Sequence, residues 1–85
     1  MKKHSIVLVE DHTLLSQAIA GIVDKFESFK VSYLCKNGAE LVEQFKSKNN
    51  IPKIVLMDIN MPIMNGIETT EWISKNHPEV AVLAL

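Results

Sequence analysis

The chain has 85 residues, enough for one small domain, and a formal net charge of −1 at pH 7. This charge excludes a general attraction of the whole chain to nucleic acid or to an anionic membrane. Cys35 is the only cysteine, so an internal disulfide is excluded and a cytoplasmic location is predicted. No apolar run approaches the ~18 residues of a membrane span, and the N-terminal apolar stretch is too short for a signal peptide.

Apolar strands alternate with helical segments along the first half of the chain. Residues 5–10 (SIVLVE) are predicted as a buried strand. Apolar residues at helical spacing then predict an amphipathic helix, and they are Leu14, Leu15, Ala18, Ile19, Ile22, Val23 and Phe26. Residues 31–35 (VSYLC) are predicted as a second strand. The next helix is predicted to start at Asn37, with Glu40 three residues later as in a capping box.

The same alternation continues in the second half. Residues 54–58 (IVLMD) are predicted as a third strand and residues 80–85 (VAVLAL) as a fourth. Between them, Asn65 and Glu68 repeat the helix-start pattern, and Ile67, Thr70 and Ile73 form the predicted apolar stripe, with Trp72 half-buried beside it. The order is therefore βαβαβαβ. Continuous apolar strands between helices predict a parallel sheet with helices on both faces.

Two of the predicted strands end in acids. The first ends in Glu10 and Asp11, and the third ends in Asp58. In an open α/β sheet, ligands bind beyond the carboxyl ends of the strands, where the winding direction reverses. Neighbouring strands lie ~4.8 Å apart, so three carboxylates would crowd one small cleft and repel each other. A hard cation with oxygen ligands relieves this repulsion, and the sequence therefore predicts a Mg²⁺ site.

Each acid taken singly has a simpler interpretation. Asp11 is suited to cap the first helix, Asp58 is suited to a turn, and Glu10 could be a solvated strand end. The metal site is favoured because all three acids fall at the ends of strands that the topology makes adjacent. His12 beside them is interpreted as a helix-start residue, exposed or hydrogen-bonded.

The loop after the third strand, within DINMPIMNG, is constrained. Pro62 fixes its own φ and holds the preceding residue extended, and Gly66 closes the loop at the start of a helix. Such a loop can direct the backbone carbonyl of Asn60 at a metal beside Asp58. The alternative is an ordinary rigid connection between a strand and a helix.

These residues resemble the receiver domain of two-component response regulators over the whole chain. The resemblance rests on Glu10-Asp11 after IVLV, on Asp58 after IVLM, and on DINMPIMNG. The segment EDHTLLSQAIAGIV also resembles the subgroup whose receivers precede a LuxR-type helix-turn-helix. The resemblance implies a flavodoxin-like, doubly wound parallel sheet of five strands, order 2-1-3-4-5, with helices on both faces.

The resemblance also implies roles for the site residues. Asp58 would accept a phosphoryl group from a sensor histidine kinase, with Mg²⁺ as cofactor and without turnover as an enzyme. Asp11 would bind Mg²⁺ directly, Glu10 chiefly through water, and the Asn60 carbonyl would be a further ligand. Pro62 and Gly66 would support the loop. DNA would be contacted only through a separate output domain.

Two departures from the family pattern affect these expectations. Glu10 stands where the family more often has Asp. The chain ends at Leu85, before the switch Ser or Thr, the phosphate-binding Lys on the fifth strand and the last two helices. Residues 1–85 are therefore expected to form a partial receiver with strand order 2-1-3-4. The alternative is a fragment that folds or assembles without phosphorylation, and the open fourth strand predicts a homodimer, by antiparallel pairing or segment exchange.

Overall fold

Strands and helices alternate strictly in the computed structural model, which describes residues 3–47, 51–58 and 64–84. The elements are β1 (His4–Val9), α1 (Thr13–Val23), β2 (Phe29–Cys35), α2 (Gly38–Ser47), β3 (Ile54–Met57), α3 (Gly66–Asn76) and β4 (Ala81–Ala84). This confirms the predicted βαβαβαβ order. The boundaries differ by one or two residues: β2 begins two residues earlier than predicted, and Glu10 and Asp58 each lie one residue beyond their strand.

The strands form one parallel sheet in the order β2-β1-β3-β4, as predicted. β1 pairs with β2 on one side and with β3 on the other, so the winding direction reverses between β1 and β3. A register shift between Ile6 and Val7 interrupts the pairing of β1 with β2. The carboxyl ends of β1 and β3 meet at this reversal point, which is where open α/β sheets bind ligands.

One face of the sheet packs against α2 and α3 and forms the closed core. Side chains alternate between the two faces along each strand, and Val7, Val9, Val55 and Met57 point to this face. The buried cluster consists of Val7, Val9, Cys35, Leu41, Phe45, Val55, Met57, Ile73 and Val80. Trp72 is half-buried against the cluster, as predicted, and its ring lies beside that of Phe45. We call this face the covered face.

The opposite face, which we call the α1 face, is only partly covered. α1 packs mainly on β1 and β2. α1 forms where the amphipathic helix was predicted, but part of its apolar stripe is uncovered: Leu14 is 83% exposed and Ile22 is 57% exposed. Ser16 and Val23 are the buried residues of α1, and Phe26 lies exposed beyond the helix end.

The starts of α2 and α3 follow the predicted pattern with one difference. At α3, the Glu68 backbone N–H donates to Asn65 Oδ1 (3.0 Å) and the Asn65 N–H donates to Glu68 Oε1 (3.3 Å), a complete capping box. At α2, the Glu40 N–H donates to Asn37 Oδ1 (2.9 Å), but the Glu40 side chain accepts from the N–H of Lys36 instead.

The predicted stripe of α3 was partly wrong. Ile73 is buried, but Ile67 is 58% exposed, and Thr69 is buried although the prediction left it outside the stripe. The side of α3 that contacts the sheet is therefore rotated toward Thr69. Within the described ranges, no helix is long and apolar enough to cross a membrane.

Candidate functional site

Backbone pairing places the first and third acidic positions side by side. Val9 and Met57 are register partners at the ends of β1 and β3. The N–H of Asp58 donates to the carbonyl of Val9 (2.9 Å), and the N–H of Glu10 donates to the carbonyl of Cys35 (2.9 Å). The sheet hydrogen bonds therefore continue through both acids, and their positions are set by the sheet before any side-chain interaction is made.

Glu10 is buried, and its surroundings disfavour its charge. The residue is only 4% exposed. Burial raises the pKa of Glu10, and the hydrogen bond and negative charge of the neighbouring Asp58 carboxyl raise it further. The charge of Asp11 acts in the same direction, whereas the hydrogen bond with His12 opposes it. The raised pKa of Glu10 means that its surroundings favour either a proton or a bound cation at this carboxyl.

Two buried carboxylate oxygens, one of Glu10 and one of Asp11, lack a hydrogen-bond donor. Within the described part of the chain, neither Glu10 Oε2 nor Asp11 Oδ1 has a hydrogen-bond partner. Buried polar atoms in native proteins are nearly always satisfied by protein, water or an ion. The donor set consists of carboxylate oxygens, which are the ligands that Mg²⁺ prefers. The residues present therefore fit a hard divalent cation.

The simpler interpretations of Asp11 and Glu10 were wrong. The N-cap of α1 is His12, not Asp11, and the His12 side chain makes no capping hydrogen bond. Glu10 is buried and not a solvated strand end. These two acids therefore lack the local structural roles that would have explained them.

His12 is the exposed residue of the cluster, and the interpretation of it as a helix-start residue is confirmed. Its side chain is 76% exposed. Its Nδ1 lies 3.3 Å from Glu10 Oε1 and 3.3 Å from Asp11 Oδ1. A single imidazole nitrogen thus contacts both consecutive acids, which the sequence analysis did not predict.

The constrained loop is described only at its end. Asn60 and Pro62 lie outside the described residues, so the metal contact of the Asn60 carbonyl and the role of Pro62 stay predictions. Gly66 is buried as the first residue of α3. Met64 has a φ of 51°, in the left-handed region that a non-glycine residue rarely adopts. Such a conformation persists only where surrounding contacts hold it.

Those contacts come from two residues that the sequence analysis missed. The Thr69 hydroxyl donates to the carbonyls of Asn65 (2.9 Å) and Met64 (3.3 Å). Gly38, the first residue of α2, lies against the same place, since a Cβ there would overlap Thr69 Oγ1 and lie 2.5 Å from the Met64 carbonyl oxygen. The starts of α2 and α3 therefore meet beside the end of the loop and hold it.

Comparison with known proteins identifies the family. Residues 6–85 match the family model of the response regulator receiver domain. The chain is 38% identical over 80 residues to the transcriptional regulatory protein LnrK of Bacillus subtilis, covering 94% of this chain and 36% of that protein. It is 36% identical over 83 residues to the transcriptional regulatory protein DegU of Brevibacillus brevis, covering 98% and 34%. The chain thus spans about a third of the length of these relatives.

Solved structures show the same fold. The response regulator domain of Thermotoga maritima CheB superimposes with a TM-score of 0.84 at 29% identity, covering 98% of this chain and 60% of that one. A LuxR-family DNA-binding response regulator from Staphylococcus aureus superimposes with a TM-score of 0.83 at 28% identity, covering 95% and 66%. The flavodoxin-like arrangement predicted from the sequence is confirmed, and the chain belongs to the receiver domains of response regulators.

Proposed function

We propose that the chain is a phosphoacceptor in two-component signal transduction, with Asp58 as the residue that is phosphorylated. The observation that carries this proposal is the contact between the Glu10 and Asp58 carboxyls at the reversal point of the sheet. Two neighbouring acids, of which Glu10 is buried, repel each other and are unfavourable on their own. They become useful where a bound cation and an incoming phosphoryl group restore the charge balance.

The chain's residues divide the work of phosphoryl transfer between them. An oxygen of the Asp58 carboxylate forms a bond to phosphorus while the P–N bond of the kinase phosphohistidine breaks, and the histidine nitrogen takes up a proton. Glu10 and Asp11 would hold Mg²⁺ next to Asp58, with the Asn60 carbonyl as a further ligand. When bound, Mg²⁺ neutralises the charge of the transferring group. Pro62 and Gly66 would support the loop that follows β3.

Membership of the family supports a proposal for the partners and the location. The donor is a sensor histidine kinase, and the protein acts in the cytoplasm without turning over a substrate. LnrK and DegU are transcriptional regulatory proteins, so the output is control of a DNA-binding domain of the LuxR type in a longer protein. A phosphoryl group adds about 1.5 to 2 negative charges at neutral pH, enough to reorganise the neighbouring loops.

The experiment is phosphorylation by acetyl phosphate in the presence of Mg²⁺, read by intact-protein mass spectrometry. The full-length protein that contains this chain is expected to gain one phosphoryl group, which its Asp58→Asn variant does not. Asp24→Asn is the matched control, because Asp24 is an exposed acid at the end of α1. Equal labelling of the Asp58→Asn variant would refute the assignment. If the wild-type chain binds Mg²⁺ but is not labelled, the second candidate function below is favoured.

The second candidate function is assembly through β4, without phosphorylation. β4 is at the edge of the sheet, and no described strand pairs with its outer side. It carries no charge or proline, and Leu83 is 53% exposed. Such an edge recruits another strand, and we infer a homodimer formed by antiparallel pairing of two β4 strands or by exchange of segments.

Light scattering after size exclusion, over a dilution series, tests this assembly. Leu83→Lys is expected to shift the mass from dimer to monomer. It is a better choice than Val82→Lys, because Val82 packs against the core and a lysine there would also unfold the chain. Glu79→Lys, an exposed substitution just before the strand, is the control for the added charge. A monomeric wild-type chain at micromolar concentration would rule out the dimer.

A further inference from the structure

We propose that His12 is a metal ligand, and that Glu10, Asp11 and His12 bind an imidazole-preferring divalent ion such as Zn²⁺ more tightly than Mg²⁺. This inference rests on the carboxylate site of the proposed function and adds a nitrogen ligand to it. Magnesium prefers an all-oxygen environment, whereas imidazole nitrogen suits zinc and other transition ions. The identity of residue 12 would therefore decide which ion the site selects.

The distances suit coordination by three consecutive residues. His12 Nδ1 lies 3.3 Å from Glu10 Oε1 and 3.3 Å from Asp11 Oδ1. Two ligands bound at ~2.0–2.1 Å to a tetrahedral ion lie about 3.3–3.4 Å from each other. One ligand atom from each of the three residues lies within 4.8 Å of the other two. An ion can therefore occupy the space between these atoms without a large movement of the side chains.

The buried carboxylate of Glu10 is the independent sign of a ligand. The Glu10 side chain is only 2% exposed. Its Oε2 has no hydrogen-bond partner in the described ranges, and neither has Asp11 Oδ1. The hydrogen bond of Nδ1 goes to Glu10 Oε1, and its 3.3 Å approach to Asp11 Oδ1 is an ion-pair contact, so Glu10 Oε2 and Asp11 Oδ1 still lack a hydrogen bond from any described residue. A divalent ion supplies two charges at the same place and satisfies more of these oxygens than one proton can.

His12 is free to act as a ligand because it has no structural task that conflicts with it. Its backbone is extended (φ −85°, ψ 109°) at the N-cap of α1, and its side chain makes no capping hydrogen bond. Its 76% exposure gives the ion a route from solvent. All three ligands are consecutive and lie where β1 leads into α1.

The experiment is calorimetric titration of the 85-residue chain with ZnCl₂ and, separately, with MgCl₂. His12→Ala is expected to lower the Zn²⁺ affinity at least tenfold and to change the Mg²⁺ affinity less than twofold. His4→Ala is the matched control, because His4 is an exposed histidine at the opposite end of β1. It should change neither affinity. Circular dichroism confirms that each variant is folded.

A spectroscopic readout separates ligation from a charge effect. In the nitrogen NMR spectrum, Zn²⁺ should move the Nδ1 resonance of His12 to the position of a metal-bound nitrogen and leave His4 unchanged. Equal Zn²⁺ affinity of wild type and His12→Ala would overturn the inference. An equal loss of Zn²⁺ and Mg²⁺ affinity would also overturn it, since His12 would then act only through the structure of the turn.

The same titrations keep this inference distinct from the proposed function. If Mg²⁺ binds and Asp11→Asn abolishes that binding, but His12→Ala leaves Zn²⁺ affinity intact, the inference fails and the Mg²⁺ site stands. If Zn²⁺ binding depends on His12 but Mg²⁺ does not bind the wild-type chain, the inference stands and the Mg²⁺ cofactor fails.

Discussion

The covered face and the α1 face of the sheet carry similar side chains but differ in how well those side chains are packed. On the covered face, Val7, Val55 and Met57 are at most 1% exposed beneath α2 and α3. On the α1 face, four leucines are register partners across the whole sheet, and we call them the leucine row: Leu34, Leu8, Leu56 and Leu83. Leu8 is fully buried, whereas Leu34 is 44% and Leu83 is 53% exposed.

The difference shows that similar apolar side chains are not packed equally well, because coverage by helices sets how much each side chain contributes. A buried leucine loses its contact with water and gains close contacts, and only then is its full hydrophobic contribution realised. The side chains of the central strand β1 are packed in this way on both faces of the sheet. Those of β4 are packed on one face only, where Val82 lies against the core. The edges of the leucine row therefore contribute less to folding than its centre does.

The largest difference in the free energy of unfolding is expected between two leucine truncations, one on each face. Leu41→Ala removes a side chain that is 0% exposed in the covered core, and it should lower the free energy of unfolding by about 2–5 kcal/mol. Leu83→Ala, at the exposed end of the leucine row, should cost below about 1 kcal/mol in the monomer. Urea denaturation measures both. Similar losses would mean that the two faces are equally packed, and the comparison would be wrong.

The next effect comes from two glycines, one on each side of the sheet. Gly38→Ala places a Cβ against Thr69 and the Met64 carbonyl, and a backbone atom cannot move away cheaply, so we expect a loss of about 1–3 kcal/mol. Gly21→Ala in α1 meets nothing within 4 Å and should stabilise the helix by about 0.5–1 kcal/mol. Urea denaturation reports both values, and opposite signs are the expected result.

The order of the elements and the order of the strands could be predicted because both depend on local patterns. Apolar runs and helical spacing identify each element, and the predicted parallel sheet follows from their alternation. The exposure of Leu14, Ile22 and Ile67 could not be predicted. Periodicity shows that a helix has an apolar side, but it does not show whether another element covers that side.

The site was predictable where it depends on strand ends. Glu10 and Asp58 follow paired positions of adjacent strands, so the topology alone brings them together. Gly38 and Thr69 could not be found in this way, because their contact joins two helix starts about thirty positions apart in the chain. The approach of His12 Nδ1 to both acids depends on a side-chain rotamer, for which the sequence carries no pattern.

A smaller effect on stability is expected from the residues at the two ends of α3, which packs on the covered face. Asn65→Ala removes the hydrogen bond to the Glu68 N–H and half of the capping box, which should cost about 1 kcal/mol. Asn76→Ala is the control at the other end of α3, where an exposed side chain donates to the Trp72 carbonyl, and it should change stability by less than about 0.5 kcal/mol. Thermal unfolding resolves the difference. Equal effects would show that α3 is held by packing alone.

The smallest effect concerns the phenol of Tyr33, at the β2 edge of the covered face. Burial raises the pKa of Tyr33 to about 12, and the charge of the Cys35 thiolate acts in the same direction. A raised pKa in the folded chain means that folding favours the protonated phenol. The stability that this group contributes is therefore complete below the unfolded value of ~10 and is lost as the pH rises toward 12.

Absorbance titration of the phenolate band measures this pKa directly, because the chain has one tyrosine. The folded chain should titrate above the chain unfolded in urea. Cys35→Ala should lower the folded midpoint only in part, since burial is the larger cause and remains in the variant. A folded midpoint equal to the unfolded one would show that Tyr33 is hydrated. The covered face would then be open along β2, and its contrast with the α1 face would be limited to the two central strands.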